Sequence, residues 1–114
     1  MASFGMLLRE KRRLAGISQR ELATKAGLDF SYISKLENDR IPAPAADTVV
    51  TLCRVLESSP QDLLAASGKL PQQTQEAVGT SPAAQQFLES AVQMKLTEDE
   101  WREIASSLHR LRET

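Results

Sequence analysis

The stretch from residue 29 to residue 38 carries polar side chains at the spacing of one helix face. Ser31, Ser34 and Lys35 recur at intervals that place them away from the apolar positions of a helix. Serine hydroxyls donate and accept hydrogen bonds, and a lysine ammonium donates them. This polar and weakly basic face suits recognition of hydrogen-bonding groups, such as base edges in the major groove of DNA, more than it suits catalysis.

Residues suited to catalysis are few. The chain has one histidine, one cysteine and no glycine-rich phosphate loop. His109 lies on a predicted helix among Ser106, Arg110 and Glu113, where an exposed histidine without a catalytic role is the favoured interpretation. Cys53 alone can form neither an internal disulfide nor a cysteine-based metal cluster within one chain, and its position favours burial. We therefore expect no enzymatic activity, no cofactor and no metal site.

Two short amphipathic helices are predicted to position the polar face. Their apolar stripes are Leu22, Ala23 and Ala26 in the first helix, and Ile33 and Leu36 in the second. Gly27 stands where a left-handed residue ends a helix and allows a sharp turn, and Asp29 stands where its side chain can cap the next helix. These features favour a helix-turn-helix. On spacing alone, a plain helical hairpin remains an alternative.

A longer series of residues surrounds these helices in a recognisable register. Within the pair it includes Gln19, Ala23, Gly27 and the run ISKLEND at 33–39. Outside the pair it includes Gly5, Leu8, Arg9, Arg12, Gly16, Ile17, Ser18, Pro44, Leu52, Leu56, Leu63 and Leu64. From residue 4 to about residue 68 the chain thus resembles the lambda-repressor-like (XRE/Cro-repressor type) helix-turn-helix transcriptional regulators. The resemblance implies an all-α fold with a five-helix DNA-binding domain, here followed by a C-terminal helical hairpin.

The resemblance assigns base contacts to four positions of the second helix of the motif, which we call the recognition helix. These positions are Phe30, Ser31, Ser34 and Lys35. Lys35 can donate to guanine acceptors, the serines can pair with several base edges, and Phe30 can touch a thymine methyl. Packing of Phe30 against the turn is an equal alternative.

The resemblance also implies DNA backbone contacts from Arg12, Ser18, Gln19, Tyr32, Asn38 and Arg40. Arg12 is expected to pair with Glu37 and so to hold the first helix against the recognition helix. Gln19 opens a helix whose N-terminus favours a phosphate, although it could be merely exposed. Tyr32 is expected either to bind phosphate or to pack between helices.

The charge distribution agrees with a local DNA-binding surface. The net charge of the 114 residues is −1, but residues 1–57 carry nine Lys/Arg and seven Asp/Glu, a net of +2. Residues 58–114 carry five Lys/Arg and eight Asp/Glu, a net of −3. A modest positive patch predicts site-specific binding that weakens with salt. Because no apolar run is long enough to span a membrane and the N-terminus lacks signal-peptide features, we expect a cytoplasmic protein.

The domain organisation follows from these patterns. We predict a DNA-binding domain at 1–68, with helices at 3–15, 18–26, 29–38 and 47–56 and a short fifth helix that starts at Pro60 with Ser59 as its cap. Residues 69–82 contain two prolines, a glycine and three glutamines, and predict a linker with at most one weak helical turn. Residues 83–95 and 98–112 predict the two helices of a C-terminal hairpin.

The hairpin carries two apolar stripes that we expect to form a dimer interface. The interface residues are Phe87, Leu88, Ala91, Val92, Trp101, Ile104, Leu108 and Leu111. A hairpin of about thirty residues buries too little apolar surface to be stable alone, so it must dock on its own domain or on a second copy. The second copy is favoured, because related regulators bind two-fold symmetric operators as dimers. Trp101 is the expected anchor.

The sequence therefore predicts a sequence-specific regulator of transcription that binds double-stranded DNA. The resemblance implies that it acts as a homodimeric repressor on a two-fold symmetric operator. The alternative is an antitoxin-like or protease-controlled regulator whose hairpin binds a different, regulatory protein. The oligomeric state of the isolated protein separates the two hypotheses.

Overall fold

A computed structural model describes residues 2–113 and is helical throughout, with no strand among those residues. Its helices are α1 (Phe4–Leu14), α2 (Gln19–Ala26), α3 (Phe30–Glu37), α4 (Ala46–Val55), α5 (Gln61–Ser67), α6 (Gln72–Gly79), α7 (Pro82–Met94) and α8 (Glu98–Arg110). The predicted all-α class is therefore confirmed. The chain divides into two compact units, one ending at Gln75 and the other starting at Glu76.

The first unit is built around one apolar core, to which α1 to α5 all contribute. Leu8, Leu22, Ile33, Leu52 and Leu63 have no exposed surface, and one comes from each helix in turn. Burying these side chains removes apolar surface from water and is the main force that holds the five helices together. Because Ile33 and Leu36 face this core, the opposite side of α3 faces solvent.

The turn between α2 and α3 has the predicted geometry at Gly27. Its φ of 71° is left-handed, and its N–H and that of the next residue bond back to the end of α2. The predicted cap at Asp29 differs from expectation, whereas Ser18 caps α2. Ser18 accepts from the Glu21 N–H without the return bond of a capping box, and Asp29 occupies the N-cap of α3 without a side-chain hydrogen bond. Asp29 points into solvent, where water can satisfy the first amides of α3.

The fifth helix also begins differently from the prediction. Pro60, expected at the first helical position, is itself the N-cap of α5, and Ser59 makes no cap. The polar contacts of this loop are made by Ser58 instead. Its hydroxyl accepts a hydrogen bond from Lys11 Nζ at 3.0 Å and donates one to the Ser59 carbonyl.

Cys53 lies buried on α4, as predicted, and burial raises the pKa of its thiol.

The predicted linker at 69–82 is wrong in one respect. Residues Gln72–Gly79 form a helix of two turns, where we expected at most one weak turn. Pro71 precedes this helix, and Gln75 and Thr80 bond to backbone carbonyls at its ends. Proline is favoured just before or at the start of a helix, so the same residue that suggested a linker also permits a helix start.

The second unit contains the predicted hairpin, α7 and α8. Thr97 caps α8 in a complete capping box: its hydroxyl accepts from the Glu100 N–H, and the Glu100 carboxylate accepts from the Thr97 N–H at 2.9 Å. Ala91 is buried, and the Phe87 and Trp101 rings meet edge to face with centroids 6.5 Å apart. The aromatic pair thus ties α7 to α8.

Candidate nucleic-acid interface

The outer face of α3 lies at the surface of the first unit. Ser31 and Lys35 are exposed and Ser34 is half-buried, whereas Ile33 and Leu36 on the other side are fully covered. The helix therefore presents two hydroxyls and an ammonium to solvent on one face. A ridge of this kind can enter the major groove, where side chains of these types donate to and accept from base edges.

Phe30, the first residue of α3, remains 39% exposed and packs against α2. The Arg20 guanidinium carbon lies over its ring, 4.5 Å from the centroid. This distance is within the range of a cation–π interaction. The ring thus makes an interhelical contact and still reaches solvent, and its contact with DNA stays a prediction.

The C-terminal end of α3 is fixed by a buried carboxylate. The Glu37 side chain has no exposed surface, and Arg12 of α1 donates to both of its oxygens, at 2.6 Å from Nε and 3.0 Å from Nη2. Arg12 also donates to the Ile17 carbonyl at 3.0 Å. The expected Arg12–Glu37 pair is thus present, and three of the five guanidinium N–H groups of Arg12 are engaged within the first unit.

Two further side chains converge on Glu37. Gln19 Nε2 donates to its Oε1 at 3.0 Å, and Arg9 Nε lies 3.4 Å from the same oxygen. Gln19 therefore links the N-terminus of α2 to the end of α3, and its amide is engaged before any DNA is bound. Arg9 was absent from the predicted site. The signal that could have found it is its three-residue spacing from Arg12, which puts both on one side of α1.

These bonds change the acidity of the pair. Burial alone would raise the pKa of Glu37, but hydrogen bonds from Arg12, Gln19 and Arg9 and the charge of Arg12 bring it below its usual value. The hydrogen bond to Glu37 raises the pKa of Arg12. Both groups therefore stay charged at neutral pH, and the buried carboxylate is fully compensated, as a buried charge must be.

Residues 38–40 follow α3 and join it to α1. Asn38 Nδ2 donates to the Ser34 carbonyl at 2.8 Å, and its Oδ1 accepts from Arg9 Nη2 at 2.9 Å. Arg40 is exposed, and its contact with a phosphate stays a prediction. The two residues expected to contact the DNA backbone thus differ. The Asn38 side-chain amide is already hydrogen-bonded within the protein, whereas the Arg40 guanidinium is exposed to solvent.

Asp39 was absent from the predicted site and has a structural role. Its φ is 55°, and its two carboxylate oxygens accept from the Gly5 N–H at 2.9 Å and the Ser3 hydroxyl at 2.6 Å. An aspartate tolerates this left-handed conformation better than most residues. It caps the first turn of α1 from the end of α3, a contact between residues far apart in sequence.

The remaining predicted backbone-contact residues lie at the edges of the motif. Ser18 is exposed, but its hydroxyl caps α2. Tyr32 is half-buried and packs against the core, which agrees with the helix-packing alternative.

Among residues 2–113, no group of acidic, histidine or cysteine side chains is arranged to hold a metal ion. The described helices include none long and apolar enough to cross a membrane.

Comparisons with known proteins agree with this geometry. Residues 8–63 match the family HTH_3, described as helix-turn-helix. The chain is 32% identical over 95 residues to an uncharacterized HTH-type transcriptional regulator, RghRB, of Bacillus subtilis strain 168, covering 81% of this chain and 68% of that protein. A solved structure titled SinR protein/SinI protein complex shares the fold, with a TM-score of 0.52 and 23% identity over 93% of this chain and 94% of that chain.

Proposed function

Because this chain belongs to the XRE-type helix-turn-helix family of DNA-binding transcriptional regulators, a non-enzymatic class, we propose that it is a dimeric repressor. It acts in the cytoplasm on a two-fold symmetric operator in double-stranded DNA. In this proposal α3 enters the major groove, and Phe30, Ser31, Ser34 and Lys35 read base edges. Bound at a promoter, the dimer blocks transcription by occupying the site.

The DNA-binding part of the proposal rests on one observation: an exposed α3 is held in a fixed orientation by hydrogen bonds at its C-terminal end. The buried Glu37 carboxylate at its end receives donors from Arg9, Arg12 and Gln19, which come from two other helices. A recognition helix must hold its side chains in a defined orientation for base contacts to discriminate between sequences. The Glu37 cluster supplies this orientation without using the outer face of α3.

The apolar surface of the hairpin supports dimerisation. Phe87, Ile104, Leu108 and Leu111, with Ser107, line a groove of about 410 Å³ in the second unit, and Trp101 remains 39% exposed beside Phe87. The hairpin itself buries little of Leu108 and Leu111, whose side chains are 62% and 76% exposed, respectively. Contiguous apolar surface of this kind marks a site of association.

The charge pattern of α8 favours a second copy as the occupant. Its first turn carries Glu98, Asp99 and Glu100, and its last turn carries His109 and Arg110. Two α8 helices side by side and antiparallel bring the acidic end of each next to the basic end of the other. A two-fold axis requires this self-complementarity, because the same patch must face itself.

Light scattering coupled to size exclusion tests the dimer. We expect a dimer for the parent chain and a shift toward monomer for Trp101→Ala and for Leu108→Ser, which leaves the aromatic pair intact. Met94→Ala is the matched control, because Met94 is an exposed apolar residue outside the groove. A parent chain that is monomeric at micromolar concentration would rule out the dimer.

Selection of bound sequences from a random duplex pool tests the repressor part. We expect an inverted repeat whose half-sites are separated by about one helical turn, near 34 Å, since each recognition helix of a dimer enters its own groove. Placing the selected site over a reporter promoter then separates repression from activation. A pool that returns no enriched sequence contradicts the proposal.

A second candidate function is control of the hairpin by a different protein, as in an antitoxin-like or protease-controlled regulator. Its support is the fold that this chain shares with the SinR protein/SinI protein complex, an assembly of two different proteins. The same groove would then bind a partner helix rather than a second copy. A stable parent dimer that dissociates on Trp101→Ala favours the homodimer, whereas a monomer favours this candidate.

A further inference from the structure

The contact between Arg20 and Phe30 joins the starts of two helices. Arg20 is the second residue of α2, Phe30 is the first residue of α3, and the guanidinium carbon lies 4.5 Å from the ring centroid. Both side chains are exposed. Neither residue is in the core, so the contact orients two side chains at the surface and does not contribute to core packing.

The hydrogen-bonding edge of Arg20 is uncommitted. Within residues 2–113, no hydrogen bond or ion pair engages its guanidinium, whereas Arg9 and Arg12 both donate to Glu37. A cation over an aromatic ring is held by its charge, and the five N–H groups of a guanidinium remain able to donate. Phe30 therefore restrains the position of this guanidinium and leaves its donors free to bind a ligand.

The location of the pair indicates which ligand this is. In a helix-turn-helix the first helix crosses the DNA backbone, and the N-terminal residues of the recognition helix contact base edges. Arg20 and Phe30 bridge these two places. An arginine there can reach past the backbone into the groove, where guanine presents O6 and N7 as paired acceptors in the major groove.

We propose that Arg20, oriented by Phe30, reads a guanine in each operator half-site with two parallel N–H donors. The inference rests on the proposed function and deepens it by naming a base. Phe30 acts as a positioning residue and contacts the methyl group of a neighbouring thymine. Arg20 thereby adds a planar fork of donors that Ser31, Ser34 and Lys35 do not provide.

The place of the contact favours guanine over phosphate. A guanidinium fork pairs in a bidentate manner with a guanine edge or with a phosphate, so the fork by itself does not select between them. Phe30 favours the base, because it holds the guanidinium beside the first turn of the recognition helix, whose N-terminal residues contact base edges. A phosphate contact remains the outcome that the experiment distinguishes from this proposal.

The test starts from sequences selected by the parent chain and measures their affinities for variants by fluorescence anisotropy. Arg20→Lys keeps the charge and loses the planar fork. Phe30→Leu keeps an apolar side chain and loses the aromatic face. Arg54→Lys is the matched control, because Arg54 is an exposed arginine on α4, outside the motif. Duplexes with 7-deazaguanine at the selected guanine remove the N7 acceptor.

For the parent chain we expect replacement of the selected guanine, or its 7-deaza form, to weaken binding roughly tenfold to a hundredfold, the range for one bidentate base contact. Arg20→Lys should remove most of this preference, Phe30→Leu should reduce it, and Arg54→Lys should preserve it. The effects of Arg20→Lys and Phe30→Leu should be less than additive, because one residue acts through the other.

Two results would overturn the inference while the proposed function stands. One is a uniform loss of affinity for all sequences in Arg20→Ala with a smaller salt dependence, which identifies a phosphate contact. The other is an unchanged guanine preference in both arginine variants. If the parent chain selects no sequence at all, the proposed function fails and this inference fails with it. Circular dichroism establishes that each variant is folded.

Discussion

Gly5 on α1 donates its backbone N–H to the Asp39 carboxylate beyond the end of α3, at 2.9 Å and across 34 residues of chain. The bond is possible because the start of α1 lies directly against the C-terminal carbonyls of α3. A Cβ at Gly5 would lie 2.5 Å from the Leu36 carbonyl oxygen and 2.6 Å from that of Glu37. The position of the recognition helix against α1 thus depends on the absence of a side chain at Gly5.

The first prediction follows from this close approach. Gly5→Ala should lower the free energy of unfolding by about 1–3 kcal/mol, because the nearest atoms are backbone oxygens that cannot rotate away. Gly79→Ala is the control, since nothing lies within 4 Å of its added Cβ. Urea unfolding of both variants measures the difference, and equal midpoints would show that the contact is not tight.

The second prediction concerns removal of the Glu37 charge. Glu37→Gln leaves Arg12 without its counter-ion and should lower the free energy of unfolding by about 3 kcal/mol at pH 7, the usual cost of breaking a buried pair from one side. Glu10→Gln, an exposed change on α1, is the control. Thermal unfolding with calorimetry measures both, and a loss no larger than the control's would mean that the pair adds nothing.

The third prediction is the pH dependence of the same group. The pKa of Glu37 is lowered on folding from 4.5, so the unfolded chain takes up its proton first as the pH falls. The stability that Glu37 contributes is therefore complete above the unfolded pKa and is lost as the pH falls through the folded pKa. Unfolding midpoints from about pH 6 to pH 3 should fall less steeply for Glu37→Gln than for the parent chain.

The fourth prediction separates base contacts from phosphate contacts. Lys35→Ala should change the preferred base at one operator position and cost roughly 1–3 kcal/mol on the selected site. Arg40→Ala should weaken binding to selected and unrelated duplexes alike and reduce the salt slope by about 1. Competition binding at several salt concentrations measures both effects. An unchanged site selection for Lys35→Ala would contradict its assignment as a reader.

The fifth prediction concerns the cap of α8. Thr97→Ala removes the hydroxyl that accepts from the Glu100 N–H at 3.2 Å and should cost about 1 kcal/mol. Ser106→Ala in the middle of the same helix is the control. Hydrogen exchange of the first turn of α8 reports the loss directly, and equal protection in the two variants would show that the cap is dispensable.

Local patterns predicted most of the helices correctly. The stripe before Gly27, the stripe after it and the turn at Gly27 itself depend on residues within a few positions of one another, and each is present in the structure. The prediction at 69–82 was wrong because Pro71 and the glutamines are compatible with both a linker and a helix start. The Arg12–Glu37 pair came from the family resemblance, since nothing in spacing alone connects residues so far apart.

By itself, the sequence determined the helical class of this protein, the turn at Gly27 and which side of α3 would be apolar, because helical periodicity and turn chemistry act over a few residues. Only the tertiary structure decided that Arg9 and Gln19 join Glu37, that Asp39 caps α1 and that Arg20 stacks on Phe30. Such contacts depend on how helices pack, and packing is set by the shapes of side chains brought together from distant positions.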